Sequence, residues 1–414
     1  MRREVDMSKA DIAIVGGGLV GLSTALALQG PDRRIQVLES SLLQQQESTG
    51  LDARSIALSW ASIQIFKALG LSQEIKKQAS PIKNIHISSR GRWGVTRLQA
   101  SEYELEAMGY VIESQKLAAI LLDWVQQSKS ISLETGAEFE SLKFSERVRL
   151  QYKRDKKSHK LSAKLVIIAD GAQSKARSSL GIEHHMIDYQ QAAIITNVEV
   201  SRPVSGVAYE RFTDSGPLAM LPLGGSRYAC VWTHDPRSSE HLMQLDDQQF
   251  AESLQQSFGF RLGFIERVGQ RYCFPLHRTE ALELAKDRCL LLGNAANTLH
   301  PVAGQGLNLA LRDVASLSHL LESRATRSLD EPSITQLLDE YRTLRKAEQR
   351  SVVRLGDGLV SLFSNDLPLL KQFRAGALAL LDIIPPLKTE VAMSGMGFTY
   401  AGNPMLRGRP VLLQ

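Results

Sequence analysis

The sequence predicts an α/β fold: a parallel sheet backed by helices, interrupted by an inserted antiparallel sheet and followed by a C-terminal helical region. Three observations predict it. A glycine cluster, GGGLVG (16–21), follows the first apolar run. Short β-rich runs separated by turn residues fill the stretch 186–284. Late in the chain a side-chain-poor segment, GNAANTLHPVAGQGLN (293–308), opens an apolar helix.

At 414 residues the chain exceeds one small core and suggests two domains with a tail. Hydrophobic residues make up 43% and charged residues 22%, the balance of an ordinary globular protein. The net charge of +5 is small for this length, and there is no run of five or more basic residues, so no nucleic-acid partner is expected. The most basic segment, RVRLQYKRDKKSHK (147–160), reads as a solvated hairpin between strands. Cys230, Cys273 and Cys289 are isolated and form no CxxC, so neither a zinc nor a dithiol site is expected, and a reducing cytoplasm fits. A strand begins within about a dozen residues of the start, where a signal peptide would need its apolar core. No stretch reaches the ~18 apolar residues that span a bilayer. The expected location is cytoplasmic, with contact at the inner membrane face left open.

The first element, DIAIVGGGLVGLSTALALQG, is a strand (Ile12 to Val15), a glycine turn and a helix with apolar residues at helical spacing. A second strand, IQVLE, ends at Glu39. Gly16, Gly18 and Gly21 fit G-x-G-x-x-G in the context that fingerprint requires. The first glycine permits the tight turn, the second lets the backbone approach a pyrophosphate, and the third lets the helix pack close to the sheet. Free N–H groups at the helix start then face the phosphates. Glu39 is placed to accept ribose hydroxyls, which argues against a 2′-phosphate there. This is a Rossmann-like dinucleotide site; the fingerprint itself leaves NAD(P) and FAD open.

In the middle of the chain, LVIIADGAQSKARSSLG (165–181) reads as a buried strand, Leu165 to Ala169, ending on Asp170-Gly171. The carboxyl end of a parallel strand is where such sheets bind ligands. The runs AAIITNVEV, GVAYERFT, PLAMLPL, RYACVWTH and RYCFPLHR then suggest the antiparallel sheet of a second domain. Phe212, Pro217, Leu218, Met220 and Leu221 are candidates for a substrate wall, and core is an equal reading of them. The expected division is a discontinuous dinucleotide domain (1–75, 105–185, 285–325), a substrate domain (76–104, 186–284) and a C-terminal helical region (326–414).

RCLLLGNAAN is a third strand-to-turn, and the helix of the late segment is expected to begin near Leu307. Its start presents backbone N–H groups with a positive dipole end behind them. Gly304 and Gly306 let a flat ring lie against the backbone. That suits a flavin, whose reduced ring carries negative charge near the helix start. His300 reads as positional, with no catalytic role.

Taken together, GGGLVG (16–21), ADGAQSKAR (169–177) and GNAANTLHPVAGQGLN (293–308) resemble the single-component aromatic flavoprotein monooxygenases, the group that includes para-hydroxybenzoate hydroxylase. The ubiquinone-biosynthesis branch is similar over almost the whole chain, through DARSIALS (52–59), ERFTDSGPLAMLPL (210–223), GNAANTLHPVAGQGLNLALRD and the helical tail. Gly293-Asn294 departs from the Gly-Asp of most of the family and looks like the ring C1 hydroxylases; the C5 and C6 hydroxylases look more like Gly-Asp.

The resemblance implies that NAD(P)H, a transient co-substrate, reduces FAD and that a flavin C4a-hydroperoxide hydroxylates a polyprenylated phenol. No side chain is then needed as acid or base. Gly16, Gly18, Gly21 and Glu39 would hold the adenosine diphosphate half. Asp170 and Asn294 would hold the central phosphate and ribitol. Gly304, Gln305, Gly306, Leu307 and Asn308 would line the isoalloxazine. Arg54 would balance charge near the ring, and Pro301 would abut the substrate. A biosynthetic enzyme assembly is implied as partner. Residues 366–384 form an amphipathic helix open to three readings: membrane contact, partner contact or core. A sister C5 or C6 ring hydroxylase of the same pathway, a flavin reductase of the same fold and a non-catalytic FAD-stabilised assembly subunit stand as the alternatives.

Overall fold

The computed structural model describes residues 8–41, 51, 54–91, 94–298, 305–323, 329–330, 332–346, 385–398 and 402–410. Five parallel strands form the centre of the first sheet, in the order Cys289–Leu291, Lys157–Ile168, Ser8–Val15, Ile35–Glu39 and Ile131–Thr135. Their apolar runs are buried on both faces, as expected of parallel strands covered by helices. Ile12, Ile14, Val37, Leu165 and Ile167 pack towards helices Leu19–Leu28, Ser114–Gln127 and Gln305–Glu322. Ala13, Val15, Val166 and Ile168 pack on the other side, with Phe139, Leu150 and Ala176. Each such side chain contributes about 1.5–3 kcal/mol when fully buried.

Strand Lys157–Ile168 is longer than the sequence suggested, because it serves two partners. Its first half pairs antiparallel with Val148–Arg154 through a turn at Asp155 and Lys156, both at positive φ (49° and 62°). That is the solvated hairpin of the basic segment, with the turn geometry that matches strand twist. Its second half runs parallel to Ser8–Val15.

The second sheet has nine strands and carries the β-rich runs between residues 184 and 281. Its main path runs Asn297–Thr298, Tyr272–Ala281, His184–Val200, Arg227–His234, Pro217–Gly224, Val207–Phe212, Asn84–Ser89 and Val95–Gln99. All pairings are antiparallel except Val207–Phe212 with Asn84–Ser89. Helices Pro236–Gln244 and Asp247–Phe258 cover its outer face with Leu242, Phe250, Leu254 and Phe258. Asp246 and Gln249 close the second of these with a capping box, which supplies two of its orphan donors. A small sheet of Ser55–Ser59, Gly109–Glu113 and Ser80–Ile82 lies between strand Pro217–Gly224 of the second sheet and helices Ser114–Gln127 and Gln305–Glu322 of the first layer.

Helix Gln305–Glu322 begins two residues before the expected Leu307, and its glycine sits in the first turn, where the cost of bare backbone is least. A helix over 332–346 follows, and Pro385–Met396 is the last helix described. The amphipathic segment 366–384 lies outside the described residues. Among those described, no helix is long and apolar enough to cross a membrane.

The helix over 332–346 is fixed to the late helix by a buried ion pair, Arg345 Nε to Asp313 Oδ1 at 2.6 Å, with Arg345 fully buried. Removing one partner leaves an uncompensated charge in the interior. Arg345→Met is therefore expected to cost about 3–5 kcal/mol, measured by urea denaturation, and adding Asp313→Leu should recover most of that loss.

Candidate active site

The carboxyl ends of four neighbouring parallel strands converge at one edge of the first sheet. Strand Ser8–Val15 ends on Gly16, Ile35–Glu39 on its own glutamate, Lys157–Ile168 on Asp170, and Cys289–Leu291 on Gly293-Asn294. The chain crosses from the central strand to both sides, so this edge is the switch point where open α/β sheets bind ligands.

The glycines there have distinct physical reasons. Gly16 has φ +104°, and a Cβ on it would lie 2.4 Å from the Ala169 carbonyl oxygen. A Cβ on Gly21 would lie 1.9 Å from the Gly16 carbonyl oxygen. Both positions are excluded to any other residue by backbone contact. Gly18 differs: no atom lies within 4 Å of its Cβ position, so the space before the helix start is open. The Glu39 carboxylate accepts from Gly17 N (2.6 Å) and Ser41 N (2.7 Å), which holds it beside this loop.

The middle and late segments are clamped together by Arg177. Its guanidinium is buried and donates to the carbonyls of Ala295 (2.9 Å) and Ala172 (3.0 Å). Ser174 caps the short helix Lys175–Ser179 by accepting from Arg177 N. Asp170 accepts from Ala176 N through Oδ2 at 3.2 Å, whereas its buried Oδ1 has no partner among the described residues. Asn294 is exposed at the same edge.

At the late helix, nothing lies within 4 Å of a Cβ on Gly306, and Leu307 is half-buried beside it. Asn308, expected beside a ring, is buried, and its amide is spent on the protein. Its Nδ2 donates to Ala57 O (2.9 Å), and its Oδ1 accepts from Ser59 N (2.9 Å) and Ser62 Oγ (2.7 Å). It is a clip between the helix and strand Ser55–Ser59. Arg54 is exposed, with its guanidinium 5.6 Å from the centre of the Tyr272 ring. His300, Pro301, Gly304 and the Gln305 side chain lie outside the described residues.

A cavity of about 440 Å³ lies between the antiparallel sheet, strand Ser55–Ser59, the start of the late helix and helix Pro385–Met396. Its lining is mostly apolar: Ile56, Leu58, Ile85, Ile195, Ala219, Leu221, Val231 and Met396 among others, with Asn294 and Gly306 at the helix end. Of the expected wall residues, Pro217 and Leu221 line it. Leu218 and Met220 do not. Strand residues alternate between faces, and these two pack against Trp232, Tyr228 and the outer helices. Phe212 is buried without joining the lining. The sequence reading missed Ala219, Ile195, Val231 and Thr233, which counting every second residue along each strand would have found. It also missed Glu210, the charged side chain of the lining. Desolvation pushes the Glu210 carboxyl up to about 7.

A family described as FAD binding domain matches residues 9–355. The ubiquinone hydroxylase UbiL of Rhodospirillum rubrum is 32% identical over 412 residues, covering 97% of this chain and 94% of the relative. The chain belongs to the FAD-binding monooxygenase family. The 3-demethoxyubiquinol 3-hydroxylase of Escherichia coli is 29% identical, covering 94% and 98% respectively. Among solved structures, p-nitrophenol 4-monooxygenase PnpA of Pseudomonas putida superposes with a TM-score of 0.76 at 19% identity, covering 94% of this chain and 99% of that one. The fold is that of the para-hydroxybenzoate hydroxylase-like flavin monooxygenases, with a parallel FAD sheet and an antiparallel substrate sheet.

The residues of this FAD-dependent monooxygenase fit the flavin nucleotide. Open space lies over Gly18 and Gly306, where a diphosphate and a flat ring need bare backbone. The unpartnered Asp170 oxygen sits at the same edge, and a buried acceptor is rarely left without a donor.

The monooxygenase should answer differently to alanine at its two inner glycines. Gly21→Ala is expected to destabilise the apoprotein by about 1–3 kcal/mol or more in a thermal melt. Gly18→Ala should leave the melt unchanged and weaken FAD binding about tenfold in a fluorescence titration.

Glu210 gives a pH dependence. A carboxyl raised from 4.5 to about 7 on folding binds its proton more tightly in the native state. Its contribution to stability is therefore full below pH ~4.5 and is lost as pH rises through 7, by about 2–3 kcal/mol. Urea denaturation at pH 4.5 and 8 should show this difference shrinking in Glu210→Gln.

Proposed function

We propose that this protein hydroxylates the ring of a polyprenylated phenol in ubiquinone biosynthesis, with FAD as cofactor, NAD(P)H as electron donor and O2 as oxygen source. The observation that carries the reading is the apolar cavity whose wall includes Gly306, the bare start of the late helix. A substituted aromatic ring held there would lie beside the backbone that would carry the flavin. The relatives' names supply the pathway. Ring C1 is favoured by Asn294, so the proposed conversion is 2-polyprenyl-6-methoxyphenol to 2-polyprenyl-6-methoxy-1,4-benzoquinol.

Bound FAD would supply the redox chemistry, accepting a hydride from NAD(P)H and activating O2. The chain's own residues bind, orient and keep water out. Gly16, Gly18 and Gly21 would shape the diphosphate site, the helix start at Gly18 supplying the free N–H groups while those of Gly16 and Gly17 are held by Leu38 O and the Glu39 carboxylate, and Glu39 would offer that carboxylate to the ribose hydroxyls. Asp170 and Asn294 hold the central phosphate and ribitol region. Gly304, Gln305, Gly306, Leu307 and Asn308 would line the ring, the Asn308 amide being engaged elsewhere. Arg54 and Pro301 would stand in the ring's surroundings. Pro217, Ala219, Leu221 and Val231 on the sheet, with Ala392 and Met396 on the last helix, exclude water from the substrate ring.

The test is the absorption spectrum of the purified protein before and after NAD(P)H and a short-chain prenylphenol are added in air. Flavin bands that bleach and recover, with one atom of isotopically labelled O2 in the product, are the expected result. Bleaching without label in the product would point to a reductase of the same fold, and a colourless protein that FAD cannot reconstitute would end the reading.

A further inference from the structure

Strand Val207–Phe212 carries adjacent charges at Glu210 and Arg211, and strand alternation sends them to opposite faces. Arg211 goes outward, where its Nε donates to Ser257 O at 3.0 Å. Tyr209 also turns outward, its ring 5.5 Å from that of Phe258 and 5.6 Å from that of His86. Glu210 goes inward and lines the cavity.

There it stands opposite Ala219 in the ladder, a residue too small to cover it. Among the described residues it makes no hydrogen bond or ion pair, and no other charged side chain lines the cavity. The charges on neighbouring elements lie elsewhere. His86 is Tyr209's register partner and Arg97 is His86's, which puts them with Arg211 on the outer strand face. Lys388 of the last helix is bonded to Glu102. An ionisable group in an apolar cavity costs stability unless something brings it a partner. The same cavity wall includes Gly306 and Asn294. A phenol lying between them and the sheet can place its hydroxyl at Glu210 while another ring carbon faces the helix start.

We propose that the Glu210 carboxylate contacts the substrate's phenolic hydroxyl and accepts its proton during hydroxylation. The inference rests on the phenol-hydroxylase reading above. In the step, the phenol O–H bond breaks as a carboxyl O–H bond forms. The electron pair stays on the phenolate oxygen and enriches the ring positions ortho and para to it. No oxidant or reductant is consumed in this transfer, and the proton returns to the same oxygen when the ring regains aromaticity. A carboxyl titrating near neutrality is suited to hold a proton for part of a turnover cycle.

The experiment uses the FAD-loaded protein with 2-methoxy-6-prenylphenol as probe. In the wild type, kcat/KM for hydroxylated product should rise with pH through a midpoint near 7. Glu210→Gln should keep its FAD and a KM within a few-fold, lose about 100-fold in kcat and lose the midpoint. Glu210→Asp, which keeps the carboxyl, should recover part of the loss. A Gln variant within threefold of wild type, or one that keeps the midpoint, overturns the proposal. An infrared titration of the Glu210 carboxyl, taken as the difference between wild type and Glu210→Gln, needs no turnover. Its midpoint should move when the probe binds. A moving band in a protein that makes no product would support the contact and sink the hydroxylase reading; a band indifferent to the bound probe sinks the contact itself.

Discussion

The structure depends on one steric constraint: at the carboxyl edge of the parallel sheet, backbone touches backbone with no side chain between. The Gly16 carbonyl fills the position a Cβ on Gly21 would occupy, and the Ala169 carbonyl fills that of Gly16. These contacts draw the first helix onto the sheet and bring the central strand's end against the strand that carries Asp170. Once they are made, the Gly16 and Gly17 N–H groups are held by Leu38 O and the Glu39 carboxylate, and the N–H groups of the helix start face the space beside Gly18. The open space at Gly18 is the result. It is open ground at a helix start, made by what the chain omits.

The rest of the edge must be delivered from far along the sequence, and each delivery uses a buried polar group with a partner on another element. Arg177 ties the Asp170 loop to the turn at Ala295. Asn308 ties the late helix to strand Ser55–Ser59, while Ser318 Oγ donates to Ala27 O at 2.8 Å and ties the same helix to the first one. Such bonds stabilise modestly when made but cost more when one partner is removed, so they act as fixers of register. The apolar contacts of Leu311, Val314 and Leu317 supply the attraction. The amides and hydroxyls decide where along its axis the helix stops, and with it where Gly306 sits.

This division explains what could be read from the sequence. The glycine loop was legible because a backbone constraint maps one-to-one onto a residue type at a fixed spacing. The two-sheet plan was legible because β-rich runs and turn residues alternate between 184 and 281. The substrate wall was not. In PLAMLPL both strand faces are buried, one under helices Pro236–Gln244 and Asp247–Phe258 and the other on the cavity, so the period-2 signal that separates inside from outside is erased. Leu218 and Met220 thus read no differently from Pro217 and Leu221. The clip made by Asn308 was unreadable for a related reason: the partners of its buried amide lie some 250 residues away in sequence. Helix Pro385–Met396 gave little warning, since its small residues set out no clear apolar face.

Glu210 follows from the same geometry of two buried faces. In VAYERF the adjacent Glu and Arg look interchangeable, and solvent would ordinarily take either. Here helices cover one face of the strand and the cavity lies on the other, so one charge enters each layer. Arg211 finds a carbonyl among the outer helices. Glu210 finds a mostly apolar cavity with no charged partner among the described residues. The low polarity that protects an oxygen-activating centre from water also raises the carboxyl to about 7. An exposed glutamate, ionised well below neutrality, would be too weak a base to take a phenol's proton. The apolar cavity therefore does two things at once: it keeps water from the ring, and it makes the one carboxylate inside it basic enough to matter.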